Sequence, residues 1–94
     1  MAFDISPVLA AIDADIENSV DRLCEVLRFA SVATDPAHNA DCQKAADWMT
    51  EYFKSMGFDA KQYATTGQPA VIASYVPPRA DKSNKHQIPH VLFY

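Results

Sequence analysis

Two histidines near the end of the chain have a spacing that could bind a metal. His86 and His90 are four residues apart, which in a helix places two imidazoles on one face, as in the H-E-x-x-H zinc motif. Pro89 lies between them and opposes a helix, and no glutamate follows His86. In an extended strand the two rings would share a face, but two histidines without a carboxylate or thiolate partner make a poor zinc site. We therefore assign no metal role to this pair.

The other candidates for chemistry are better explained as structure. His38 lies in a loop that contains Pro36, and we assign it no metal role either. Cys24 and Cys42 fall in predicted helices without C-x-x-C or Cys–His spacing, so we predict buried free thiols instead of a disulfide or a metal pair. The charged residues of the first segment predict a solvated helix face and not a carboxylate site; they are Asp13, Asp15, Glu17, Asp21, Arg22 and Glu25. No catalytic, metal-binding or substrate-binding residue is assigned.

Composition indicates one small globular domain over residues 1–94. The chain is 49% hydrophobic and 21% charged, and such a short chain buries only roughly 60 to 70% of its unfolded surface, so a missing neighbour would strongly lower its stability.

The net charge of -4 and the scattered basic residues disfavour nucleic acid and anionic membranes as partners. No apolar stretch reaches the length of a membrane span, and the N-terminus lacks the features of a signal peptide. We predict a cytosolic protein that contacts neither nucleic acid nor membrane.

The first third of the chain has the apolar spacing of an amphipathic helix over residues 7–29. The apolar positions, three and four residues apart, are Leu9, Ile12, Ile16, Val20, Leu23 and Leu27. Ser6 is predicted to cap the first turn through its hydroxyl, with Pro7 at the first helical position. Residues 31–36 predict a loop, because Pro36 disfavours helical backbone at the residue before it.

A second helix is predicted from residue 39 or 41 to residue 56. One face carries Ala45, Met49, Tyr52, Phe53 and Met56, with Trp48 at its margin, and we interpret this row as core and not as a ligand platform. Gly57 is expected to end the helix in the left-handed conformation. Phe58 can then fold back on Phe53 in a Schellman-type contact.

The remainder of the chain has extended character. Residues 58–64 alternate weakly, 65–69 supply turn residues and 70–76 form a more apolar run, which together predict an antiparallel hairpin. Pro77 and Pro78 end it, and residues 79–87 predict a surface loop. Residues 88–94 are typical of the start of a buried strand. Because catalytic groups in sheet enzymes often follow such a strand, we expect the functional loop to lie beyond Tyr94.

The order and spacing of these segments resemble the N-terminal region of the M20 family of metallopeptidases, in particular its dipeptidase branch, with the carnosinase and glutamate carboxypeptidase relatives. The matching segments are Leu27-Arg28-Phe29-Ala30-Ser31-Val32, Asp35-Pro36-Ala37-His38, Ala45-Ala46-Asp47-Trp48 and Met56-Gly57-Phe58. Family members open with a helix ending in an L-x-x-x-x-S-V-S turn, a second helix ending in G-F, a hairpin strand, and a strand ending in Y-G-H-x-D-V-x-P. The run Val91-Leu92-Phe93-Tyr94 matches the strand before that Gly-His-x-Asp motif. Two positions depart from the pattern: Ala33, where the family often has Ser, and Gln68, where the dipeptidase branch often has His.

The resemblance implies an α/β fold of two N-terminal helices, a β-hairpin and the start of a central sheet strand, as part of a three-layer α/β/α zinc-peptidase domain truncated before its metal-ligand loop. For the intact enzyme it implies two zinc ions that polarise a scissile carbonyl and activate water, a glutamate as general base, dipeptides or short peptides as substrates, and a homodimer. None of the family's catalytic or metal-binding positions exists in these residues. The chain alone is therefore expected to bind no zinc and to be inactive, and its partner would be the remainder of the catalytic domain.

A second interpretation is a free-standing, noncatalytic α/β binding module. It would bind a partner through its open sheet edge and a surface formed by Trp48, Tyr52 and Phe53. The reading frame beyond Tyr94 discriminates the two interpretations. A Gly-His-x-Asp sequence there favours the peptidase, and a stop codon in a complete gene favours the module.

Overall fold

The computed structural model describes residues 3–78, 83 and 88–94. Within them the chain forms three α-helices and one two-stranded antiparallel sheet, the small α/β fold that the sequence predicts. The elements, in order, are α1 (Ser6–Ala14), α2 (Ile16–Leu27), a 3₁₀ helix (Pro36–His38), α3 (Asn39–Ser55), β1 (Asp59–Tyr63) and β2 (Ala70–Ser74).

The single helix predicted over residues 7–29 is wrong, because the structure breaks it at Asp15 and ends it at Leu27. The backbone of Asp15 has φ −105° and ψ 7°, away from regular helix. Its carboxylate accepts hydrogen bonds from Asn18 Nδ2 at 2.8 Å and from Arg22 Nη2 at 2.7 Å. These bonds tie Asp15 to the first two turns of α2, and the Asp15 amide donates to the Ala11 and Ile12 carbonyls at the end of α1.

The predicted hydroxyl cap at Ser6 is also wrong. Ile5 holds the N-cap position without a side-chain bond, and Ser6 is itself the first helical residue, which moves Pro7 to the second. The Ser6 amide donates to Asp4 Oδ1 at 3.0 Å, so the acceptor comes from two residues upstream. The Ser6 hydroxyl and amide lower the pKa of Asp4 by stabilising its ionised form.

The end of α3 is a complete Schellman motif, as predicted. Gly57 has φ +89°, in the left-handed region that favours glycine. The Gly57 amide donates to the Lys54 carbonyl at 3.0 Å and the Phe58 amide to the Phe53 carbonyl at 3.1 Å. The rings of Phe53 and Phe58 lie 5.4 Å apart between centroids. This turn leads directly from the helix into β1 and fixes where the hairpin begins.

The hairpin presents one face to α3 and the other to solvent. Its register pairs Asp59 with Ser74 and Tyr63 with Ala70. Ala60, which is buried, and its partner Ala73 lie on the face that packs against α3. The opposite face carries Asp59, Lys61, Tyr63, Ala70, Ile72 and Ser74, and no other element of the described chain covers it. One helix layer on one side of a sheet is therefore in place.

The strand predicted at residues 88–94 is not formed. These residues have no strand pairing, and the run from Val91 to Tyr94 is 65 to 116% exposed. A strand exists only as part of a hydrogen-bonded ladder, and neither β1 nor β2 lies beside this segment to supply one. The prediction of a strand at residues 88–94 is therefore wrong for the described structure.

The chain is open for its size. Its accessible surface is 8053 Å², whereas a compact monomer of 10.4 kDa exposes about 5,400 Å². The radius of gyration is 17.0 Å, against about 13 Å for a compact domain of this length. The described helices lack the combination of length and apolar content that crossing a membrane requires. The folded chain thus leaves much apolar surface for other elements to cover.

Candidate functional site

The histidines considered for metal binding do not form a described site. His86 lies outside the described residues, and His90 is exposed in the unpaired terminal segment. His38 Nδ1 lies 3.1 Å from Asp41 Oδ2, and its Nε2 lies 3.9 Å from Asp35 Oδ2. Asp35 also accepts a bond from the Ala37 amide at 3.0 Å, so these side chains secure the 3₁₀ helix against the start of α3. Within residues 3–78, 83 and 88–94, no group of three or more His, Cys, Asp or Glu side chains is arranged so that it could hold a metal ion.

Both cysteines are free thiols in the structure, as predicted. Cys42 is a buried residue of α3, whereas Cys24 is only half-buried on α2, so the predicted burial is confirmed fully for one thiol and partly for the other. The two residues belong to different helices.

A polar network that the sequence pattern did not reveal joins α3 to β1. Asp47 Oδ1 accepts hydrogen bonds from Gln62 Nε2 at 2.7 Å and from Gln43 Nε2 at 2.9 Å. Gln43 Nε2 also lies 2.8 Å from Gln62 Oε1. The two amides, Gln62 first, lower the pKa of Asp47 because they stabilise its carboxylate. This network is a polar contact between α3 and the hairpin.

The hairpin loop is fastened to the helical layer by one side chain. Gln68 Nε2 donates to Asn39 Oδ1 at 2.9 Å and to the Ala33 carbonyl at 3.4 Å. Within the loop, Thr65 Oγ1 accepts from the Gly67 amide at 3.0 Å. Gln68 and Ala33, the two positions that depart from the M20 pattern, are therefore in contact with each other.

The aromatic residues of α3 divide between two contacts instead of forming one surface. Trp48 stacks on Tyr52, with centroids 5.3 Å apart and planes 2° from parallel, while Phe53 turns toward Phe58. On the α2 side, Arg22 lies over the Tyr52 ring and Trp48 Nε1 donates to Glu25 Oε2 at 3.0 Å. Trp48, Tyr52 and Phe53 therefore do not form one continuous exposed aromatic surface. The prediction that the apolar row of α3 forms the core is confirmed only in part: most of its residues are half-buried, Met56 is 45% exposed, and the buried residues of α3 are Cys42 and Thr50.

Large apolar side chains remain exposed on and before α1, on the outward side of α2, on the outer face of the hairpin and in the terminal segment. Ile72 on the hairpin is 58% exposed and Leu27 on α2 is 70% exposed. Comparisons with protein-family models, curated proteins and solved structures find no match for this chain. The geometry alone therefore defines the candidate site, and its chemistry is that of an interface between packed elements, with no catalytic constellation among the described residues.

Proposed function

We propose that these 94 residues are the N-terminal scaffold segment of a dinuclear zinc peptidase of the M20 type, which hydrolyses dipeptides or short peptides. The observation that supports the proposal is the order in which helices, loops and strands follow one another along the chain. A loop containing Asp35 and Pro36 opens α3, and Gly57 and Phe58 close it and lead straight into the hairpin. This is the order of segments on which the resemblance rests.

The layer arrangement supports the same proposal. In a three-layer α/β/α domain, a sheet is covered by helices on both faces. Here α3 covers one face of the hairpin, while Tyr63 and Ile72 on the other face are 48% and 58% exposed. A second helix layer and further strands from the remainder of the domain would cover that face. The apolar run at residues 91–94 would then gain the ladder partners that it lacks.

The residues described here do not supply a zinc site, and we assign no step of catalysis to them. Any zinc of the intact enzyme would be held by residues outside this chain. The contribution of this segment would be structural. α3 would hold the hairpin through packing and the network at Asp47. Residues 88–94, paired as a strand in the intact domain, would position the loop that follows them. Cytosolic location and a homodimer of the intact enzyme belong to this same proposal.

A second candidate function is binding through the sheet edge by a noncatalytic module. It is favoured by the absence of charged side chains on β2, since charges are a common means of protecting an edge. The part of this hypothesis that assigns partner binding to the aromatic residues of α3 is weaker, because Trp48 and Tyr52 already stack on each other against α2.

The nucleotide sequence of the parent gene tests the proposal. We expect the codons after Tyr94 to encode Gly-His-x-Asp in the same frame. A stop codon directly after Tyr94 in a complete, expressed gene would contradict the peptidase proposal and would favour the binding module.

A further inference from the structure

The outward side of α2 carries an apolar row that stays exposed in the described structure. Its members are Ile16, Val20, Leu23 and Leu27, and they are 52 to 70% exposed. At about 1.5 Å of rise per residue, the row is about 17 Å long. α3 contacts another side of α2, through Arg22 and Glu25. We call these four apolar residues the α2 stripe.

The spacing of the α2 stripe is the same in both chain directions. The intervals between its members are four, three and four residues. In an antiparallel pair related by a two-fold axis, one surface meets itself, so each contact occurs twice with the residues exchanged. With the axis midway along the stripe, Ile16 lies opposite Leu27 of the second copy and Val20 lies opposite its Leu23. Every member of the stripe therefore gains an apolar partner in a single register.

One border of the α2 stripe has a carboxylate near its start and a guanidinium at its end. On a helix with 3.6 residues per turn, Glu17 and Arg28 lie on the same side, about 90° and about 110° round from the middle of the stripe. Arg28 keeps helical backbone as the C-cap of α2. Neither side chain has an ion pair or hydrogen bond with another described residue, and Glu25, one turn before Arg28, accepts from Trp48 Nε1 instead. Both charges are therefore available to a partner.

An antiparallel second copy brings these two charges together. The two-fold axis places each border beside the same border of the other copy, so Glu17 lies next to the second copy's Arg28 at both ends of the pair. The two positions are offset by about 3 Å along the helix axis, which these long side chains can span. Asp21, the remaining charge on this border, lies about 130° from the middle of the stripe. It points away from the contact, where solvent and salt screen its repulsion from the second copy's Asp21.

Other occupants of the α2 stripe pair these charges less completely. A parallel second copy would set the charged border against the opposite border, where Ser19 and Val26 flank the stripe without charge. An anionic lipid surface would attract Arg28 but repel Glu17 and Asp21. Of these three occupants, the antiparallel copy alone satisfies both Glu17 and Arg28.

We propose that the 94-residue chain dimerises antiparallel through the α2 stripe, with reciprocal ion pairs between Glu17 and Arg28. A single row of this length is small beside the roughly 800 Å² that each partner buries in a standard interface. The dimer is therefore weak and reversible, and it forms between roughly micromolar and millimolar concentration. The proposal does not rest on the peptidase assignment, because the homodimer proposed for the intact enzyme follows from the resemblance and not from α2.

A charge exchange between the two copies tests the proposal. Glu17→Arg leaves a cation at both positions of the border, and Arg28→Glu leaves an anion at both. In sedimentation equilibrium, each variant alone should dimerise about ten-fold more weakly than the unsubstituted chain. An equimolar mixture of the two should dimerise as well as the unsubstituted chain, and so should the double variant Glu17→Arg with Arg28→Glu. Added salt should weaken the unsubstituted dimer.

Matched substitutions on the outer face of the hairpin are the controls. Asp59→Arg and Lys61→Glu change the net charge by the same amounts, and neither they nor their mixture should alter dimerisation as the α2 pair does. Leu23→Asn, at the centre of the stripe, should abolish the dimer, whereas Ile72→Asn on the hairpin should leave it intact. Backbone amide signals that shift with concentration should map to α2.

Circular dichroism checks that each variant retains its helices. If a charge variant loses α2, the salt dependence and the amide shifts of the unsubstituted chain decide the matter. A chain that stays monomeric at millimolar concentration, amide shifts confined to the hairpin, full dimerisation of both single charge variants, or a mixture no better than its components would overturn the proposal.

Discussion

Gln62 on β1 donates a hydrogen bond to Asp47 on α3, with 2.7 Å between Nε2 and Oδ1. These residues are 15 apart in sequence, and their contact is one of the polar links between α3 and the sheet. It lies on the half-exposed margin of the face of the hairpin that α3 covers in the described structure. The ionised Asp47 carboxylate therefore contributes to the orientation of the helix on the hairpin.

Acidification should loosen this link. The pKa of Asp47 is lowered from its ordinary value of 3.8 in the folded chain, so its contribution to stability is present above that value and is lost as pH falls through the folded pKa. We expect Asp47→Asn to show a smaller loss of β1 amide protection than the unsubstituted chain when pH falls from about 5 to about 2. Asp59→Asn, on the outer face of the same strand, is the control. The same acid response in all three chains would argue against the network.

Gly57→Ala should destabilise the end of α3. A Cβ at this position meets nothing within 4 Å, so the cost comes from the backbone conformation at φ +89° and amounts to about 1–2 kcal/mol. Hydrogen exchange of the last turn of α3 and of β1 should accelerate by roughly five- to thirty-fold.

Gly67→Ala is the matched control for that substitution. Gly67 has no positive φ, and its nearest neighbour to an added Cβ, Thr65 Oγ1, is 3.9 Å away. We expect little change in exchange rates. Equal effects of the two substitutions would contradict the Schellman assignment at Gly57.

The isolated chain should associate or remain incompletely ordered as its concentration rises. It exposes 8053 Å² of surface, and both strands of the hairpin have an unpaired edge among the described residues. Sedimentation velocity and thermal unfolding measure this. A sharp, cooperative unfolding transition of a monomer would show that the 94 residues are self-sufficient.

The sequence predicts the local features of this fold well, because their causes are local. The turn at Gly57 depends on one glycine and on the contact between Phe53 and Phe58, which are five residues apart. The hairpin follows similarly from the change to extended character after Gly57 and from the turn residues at 65–69. The break at Asp15 was missed because the apolar spacing continues across it, from Ile12 on α1 to Ile16 on α2.

The features that depend on distant residues could not be read from the pattern. Gln62 occupies a position that faces α3 in the alternation of β1, and a polar side chain there is a signal, but it does not identify Asp47 as the partner. The terminal run has the composition of a strand, yet pairing depends on a neighbouring strand that composition cannot specify.

Zinc-dependent hydrolysis of a dipeptide tests the central proposal most directly, when the 94-residue chain is compared with the product of the full reading frame that contains it. We predict chelator-sensitive turnover by the full product and none above background by the 94 residues alone. Chelator-sensitive turnover by the short chain would contradict the scaffold assignment and would restore His86 and His90 as candidate ligands. Absence of such turnover in a folded, zinc-loaded full product would contradict the peptidase assignment itself.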